Sequence, residues 1–168
     1  MRTSLENYVN KVLGEAKGFL KDQFPEIYQD IGIKIGVKYA KEKTDYDYTM
    51  AYNPGIKWIL LLTSERPEKP KDDDIVKSAL GIKMKRKNAY LTSIIHEIGE
   101  AMYLKELKNR NMTISYYDID VSHTVATSLE IHALEKLIQQ STGEDKKDFM
   151  RRKKARMKEI KKYKLKGV

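Results

Sequence analysis

The chain has 168 residues, 40% of them apolar and 34% charged, which is enough for one domain with a buried core. It contains no cysteine. That excludes disulfides, thiolate metal sites and cysteine nucleophiles, and leaves His, Asp and Glu as the side chains able to hold a metal. No run approaches the ~20 apolar residues of a membrane span, and residues 1–15 lack the apolar stretch of a secretory signal, so a cytoplasmic location is expected.

Residues 4–24 predict an amphipathic helix. Leu5, Tyr8, Val9, Val12, Leu13, Ala16, Phe19 and Leu20 recur at spacings of three and four, and Pro25 stands just beyond. Residues 31–40 alternate, with Ile31, Ile33, Ile35, Val37 and Tyr39 on one face, as a half-buried strand does. A second strand at 46–52 runs through the turn Asn53-Pro54-Gly55 into a third at 56–63, so these two are expected to pair as a hairpin. After a polar loop, Asp74 is placed to cap a short helix over 75–80. Residues 81–87 are basic and show no clear period. Helices are expected over 88–108, 122–140 and 145–164. A helix, a small block of strands and then helices make an α+β pattern.

The formal charge of +9 is concentrated at one end. Residues 146–168 hold twelve Lys and Arg against Asp148 and Glu159, a net of +10, which leaves −1 over residues 1–145. We therefore divide the chain into a domain at 1–145 and a basic C-terminal helix or tail at 146–168. Such a tail suits nucleic acid or an acidic partner. It can also dock on the body, because Phe149, Met157, Ile160 and Tyr163 recur at roughly helical spacing.

The chemistry lies in the helix at 88–108. At about 100° per residue, His96 and Glu100 stand about 40° apart, and Glu97 about 100° from His96. Leu91, Ile95, Ile98 and Met102 take the opposite arc, so one face is expected in the core and the other to present His96, Glu97 and Glu100. An imidazole and a carboxylate at i, i+4 can reach one metal ion. Further along, Glu130 sits in the middle of the apolar face formed by Ala126, Leu129, Ala133 and Leu137. A carboxylate on a core-facing stripe needs a partner, which is a metal, a Lys or Arg, or a hydrogen-bonding Tyr.

His96-Glu97-Ile98-Gly99-Glu100 resembles the H-E-x-x-H helix of zincin-type zinc metallopeptidases, with Glu100 where the family has its second His. Glu130-Ile131-His132-Ala133 resembles the E-x-x-A segment of the gluzincin branch. The resemblance covers roughly residues 31–140. It implies a zincin-like α+β fold, with a small, mostly antiparallel sheet packed on an N-terminal helix, a motif helix and a downstream glutamate helix. It further implies a peptide or protein substrate bound along an edge strand at 56–63, zinc on His96, Glu100 and Glu130, and Glu97 as the base that activates water.

The departure at Glu100 has a chemical consequence. A His/Glu/Glu set neutralises a divalent cation, so bound water is less acidic; zinc is the expected metal, and a carboxylate-rich set suits manganese or iron better than a histidine-rich one does. His123 offers an alternative. It precedes Glu130 by about two turns, roughly 10 Å along the helix. It either replaces Glu130 to give His96, Glu100 and His123, or stands behind the ligands, or donates to an oxyanion. Tyr116 or Tyr117 is a further candidate for that last role. If the site is inactive, the same fold remains a binding module acting through residues 146–168.

Overall fold

The computed structural model describes residues 2–165, with side chains for all of these except 116, 117 and 163–165. Helix α1 (Ser4–Gln23) begins in a capping box, in which the Thr3 hydroxyl accepts from Glu6 N–H and the Glu6 carboxylate accepts from Thr3 N–H. It buries Leu5, Val9, Val12, Leu13, Ala16 and Leu20, the stripe expected from their spacing.

Three strands follow: β1 (Lys34–Tyr39), β2 (Tyr48–Asn53) and β3 (Trp58–Thr63). β2 and β3 form the expected antiparallel hairpin, and β1 lies parallel to β3 on its other side. The order is β1-β3-β2, so the sheet is mixed and 56–63 contains its central strand. The expected edge strand at 56–63 is thereby corrected. Its run of Ile59, Leu60, Leu61 and Leu62 reads as a strand flanked on both sides, and the strand that borders the motif helix is β2.

Residues 75–80 do not form the expected helix. β4 (Ile75–Lys77) and β5 (Lys83–Lys85) make a two-stranded antiparallel ribbon instead, with Val76 facing Met84 across it and both fully buried. Six residues are too few to offset helix nucleation, and pairing with β5 gives their amides partners that a single helical turn lacks. Tyr48 and Ser78 form a parallel bridge that joins the ribbon to β2.

Helix α2 (Arg86–Asn109) starts directly from β5 and has no side-chain cap of its own. Its first amides are met from elsewhere. Arg86 N–H donates to Asp74 O, Lys87 N–H to Asp72 O, and Lys85 N–H to the Asp148 carboxylate. From Asn88 to Gly99 every residue is buried, so α2 is the central helix of the molecule and has no solvent face there. The arc expected to present His96, Glu97 and Glu100 outward is covered by β2, α3 (Tyr116–Gln140) and α4 (Gly143–Leu165).

α4 is the basic segment, and it packs on α3. Phe149, Arg152 and Arg156 are buried, while Met157 is exposed and the Tyr163 side chain lies outside those described. Among the described residues no helix is long and apolar enough to cross a membrane. α2 and α3 approach closely at Gly99, where a Cβ would stand 3.1 Å from Ala126 Cα and 3.2 Å from Leu129 Cδ2. Substitution Gly99→Val should therefore push the two helices apart and cost about 2–3 kcal/mol, read as a lowered midpoint in chemical denaturation.

Candidate metal centre

Two turns of α2 supply His96, Glu97 and Glu100, and the third turn of α3 supplies His123 across from them. His96 Nε2 is 3.0 Å from His123 Nδ1, His123 Nδ1 is 3.2 Å from Glu100 Oε1, and His96 Nε2 is 3.7 Å from Glu100 Oε1. Ligands at about 2.0–2.1 Å from a tetrahedral cation are about 3.3 Å from one another. The triangle has that size. Among the described residues this is the one group of three whose ligating atoms lie close enough to share an ion.

The backs of the two imidazoles are also arranged. His96 Nδ1 stands 3.5 Å from Glu130 Oε1, and His123 Nε2 is 2.7 Å from Glu159 Oε1. A metal-ligating His commonly turns its second nitrogen to a carboxylate, which fixes the ring and raises its basicity. The residues present therefore fit a divalent cation, which His96, Glu100 and His123 would hold with two imidazoles and one carboxylate.

Glu130 is fully buried, and its carboxylate accepts four hydrogen bonds, from Nε and Nη2 of both Arg152 and Arg156, at 2.8–3.2 Å. Those bonds leave it behind His96, on the Nδ1 side. The structure thus does not bring Glu130 into the ligand set that the resemblance implies. The two-turn offset on α3 places His123 at one nitrogen of His96 and Glu130 at the other. Of the alternatives left open by the sequence, the set His96, Glu100 and His123 is the one whose donors converge. The side chains of Tyr116 and Tyr117 lie outside those described.

Burial shapes the protonation of each group. It pulls His96 down toward the neutral imidazole, which has a lone pair to give. It pushes the Glu97 carboxyl well above the ordinary range, and the neighbouring Glu100 charge adds to this. The Tyr52 amide, 2.8 Å from Glu97 Oε2, works the other way. Burial also works to raise Glu100 and Glu130. The hydrogen bond from His123 and the nearby His96 imidazole outweigh it at Glu100, and the charges of Arg152 and Arg156 outweigh it at Glu130, so both carboxylates are held at about 2. His123 is pulled down by burial but held up to about 9 by Glu100 and Glu159.

Sequence reasoning misses Arg152, Arg156 and Glu159, since a run rich in Lys and Arg reads as a solvated face. The signal was present. Phe149, Arg152, Arg156 and Glu159 recur at three and four, on the stripe that docks. His96, Glu97 and His123 line a cavity of about 200 Å³ together with Met50 of β2 and Ser78 and Leu80 after β4.

No family model matches the chain, and no curated protein or solved structure matches it. Replacing Glu130 by Gln strips two buried guanidinium groups of their counter-charge. It should cost about 3–5 kcal/mol, measured by chemical denaturation, whereas an exposed control such as Glu135→Gln should change stability little.

Proposed function

We propose that this chain is a metal-dependent hydrolase, most closely resembling a small gluzincin-like metallopeptidase, that holds a divalent cation on His96, Glu100 and His123 and uses Glu97 as general base. The observation that carries the reading is the convergence of three ligating atoms beside a cavity, with a carboxylate behind each imidazole. Zinc suits a set of two imidazoles and one carboxylate, and manganese or iron is also compatible with it. Such a cation supplies Lewis-acid polarisation of a carbonyl and acidifies water.

The chain's own residues do the rest. Glu97 lines the cavity and is buried, so its carboxylate accepts a proton from water more readily than an exposed glutamate does. Tyr52 N–H holds one oxygen, Oε2, and so sets the orientation of the carboxyl group. Glu159 steers the His123 imidazole by accepting from its Nε2, and the Glu130 carboxylate stands 3.5 Å behind Nδ1 of His96. A peptide or protein substrate follows from the zincin resemblance. The expected substrate edge at 56–63 passes to β2, which borders the cavity through Tyr48, Thr49 and Met50.

Protein purified without chelator should carry about one equivalent of zinc, manganese or iron by elemental analysis, and His123→Ala should lose it. Glu97→Gln should keep the cation while hydrolysis falls by about 10²–10⁴-fold. A wild-type chain that takes up none of the three metals on titration overturns the reading.

The exposed face of α4 favours a second reading, in which the fold is a binding module. Lys146, Lys154, Lys158, Lys161 and Lys162 are all exposed along it. Changing Lys154, Lys158 and Lys161 together to Glu should then abolish salt-dependent binding to a nucleic-acid duplex, measured by fluorescence anisotropy across a salt series.

A further inference from the structure

Among the described residues, four buried side-chain nitrogen or oxygen atoms have no hydrogen-bond partner: Ser78 Oγ, Arg86 Nε, His96 Nδ1 and Arg152 Nη1. Two are accounted for by near contacts. Arg86 Nε lies 3.4 Å from Asp74 Oδ2, and His96 Nδ1 lies 3.5 Å from Glu130 Oε1. No ion pair fills the other two, although Arg152 also lies beside the Tyr48 hydroxyl, which is already bonded to Ala89 O and Ser93 Oγ. Both belong to residues that line the cavity beside His96 and His123, Ser78 from the turn after β4 and Arg152 from α4.

The arrangement has a clear physical consequence. Arg152 is 1% exposed, and its Nε and Nη2 are committed to Glu130. Glu130 already accepts four bonds, so it has nothing left for Nη1. A buried guanidinium N–H without an acceptor is costly, so an acceptor that enters the cavity gains a bond there. The Ser78 hydroxyl, 3% exposed, adds a second buried donor. The carboxylates nearby are already paired: Glu159 with Arg156 and His123, Glu100 with both histidines. Glu97, also on the cavity wall, has the Tyr52 amide as its hydrogen-bond partner, so an incoming anion meets unfilled donors at Arg152 and Ser78 and stands clear of Glu97 only when held by them.

We propose that this cavity binds a small carboxylate-bearing ligand, whose carboxylate accepts from Arg152 Nη1 and Ser78 Oγ. A carboxylate takes a charge-assisted bond from a guanidinium more strongly than a neutral carbonyl does. The volume, about 200 Å³, lies below the about 300–1,000 Å³ of pockets for drug-sized ligands. It suits a single terminal residue, with Met50 and Leu80 as the apolar wall for a short side chain. If the hydrolase reading holds, on which this assignment of substrate rests, the substrate is a peptide entered by its C-terminal residue. The carboxylate site itself needs no metal.

The test compares N-acetylalanine with its C-terminal amide as probes, by calorimetry on the full chain, with and without bound zinc. The acid should bind at least tenfold more tightly than the amide in both forms. Ser78→Ala removes an unpaired hydroxyl and should leave the fold intact; it should weaken the acid three- to tenfold and leave the amide unchanged. Arg152→Lys, which keeps the charge beside Glu130, should weaken the acid further. Equal binding of acid and amide, no detectable binding of either, or acid binding that vanishes with the metal and ignores Ser78→Ala overturns the proposal. Acid selectivity in a chain that takes up no metal leaves the carboxylate site standing and removes the hydrolase reading alone.

Discussion

Two guanidinium groups closing on one buried carboxylate organise this molecule. Glu130 could not stay ionised at that depth alone, and Arg152 and Arg156 could not be buried without it. Their pairing draws a strongly basic helix into the core and sets its register on α3. The effects then pass outward to the site. Glu130 faces one nitrogen of His96, and Arg156 also holds Glu159, which holds His123. One turn earlier, Asp148 of the same helix accepts from Lys85 N–H and Asn88 Nδ2 at the start of α2. α4 therefore fixes both the motif helix and the second histidine.

This pairing also resolves the chemical difficulty raised by Glu100. With Glu130 as a ligand, the set would carry two carboxylates and one imidazole. With His123 in its place, two imidazoles and one carboxylate converge, the composition found at catalytic zinc sites of the His₂Glu kind. Glu100 on α2 thus supplies the one carboxylate of the cluster, and His123 on α3 supplies its second imidazole. Glu130 keeps the negative charge that made it conspicuous in the sequence, but spends it on holding an imidazole and two arginines rather than on a cation.

What could be read from the sequence divides along the range of the interactions involved. α1, the β2–β3 hairpin, α2 and α3 were legible because their periods and turns are local. The strand order was not. Whether 56–63 is central or at an edge depends on where β1 docks, and nothing in that segment records it. β4 and β5 are three residues each, shorter than any period that could announce them. His96, Glu100 and His123 were legible as candidates because spacing along a helix fixes direction. Glu130 was legible as an anomaly, yet its partners lie 22 and 26 residues further on, in a stretch whose composition suggests solvent.

The position of α4 in chain order bears on biosynthesis. A ribosome releases α1, the sheet, α2 and α3 before the two arginines emerge. Until then Glu130 has no counter-charge, His123 lacks its Glu159 support, and the amide of Lys85 lacks its acceptor. The cluster around His96 and His123 is therefore complete only once α4, the last described helix, has docked on α3.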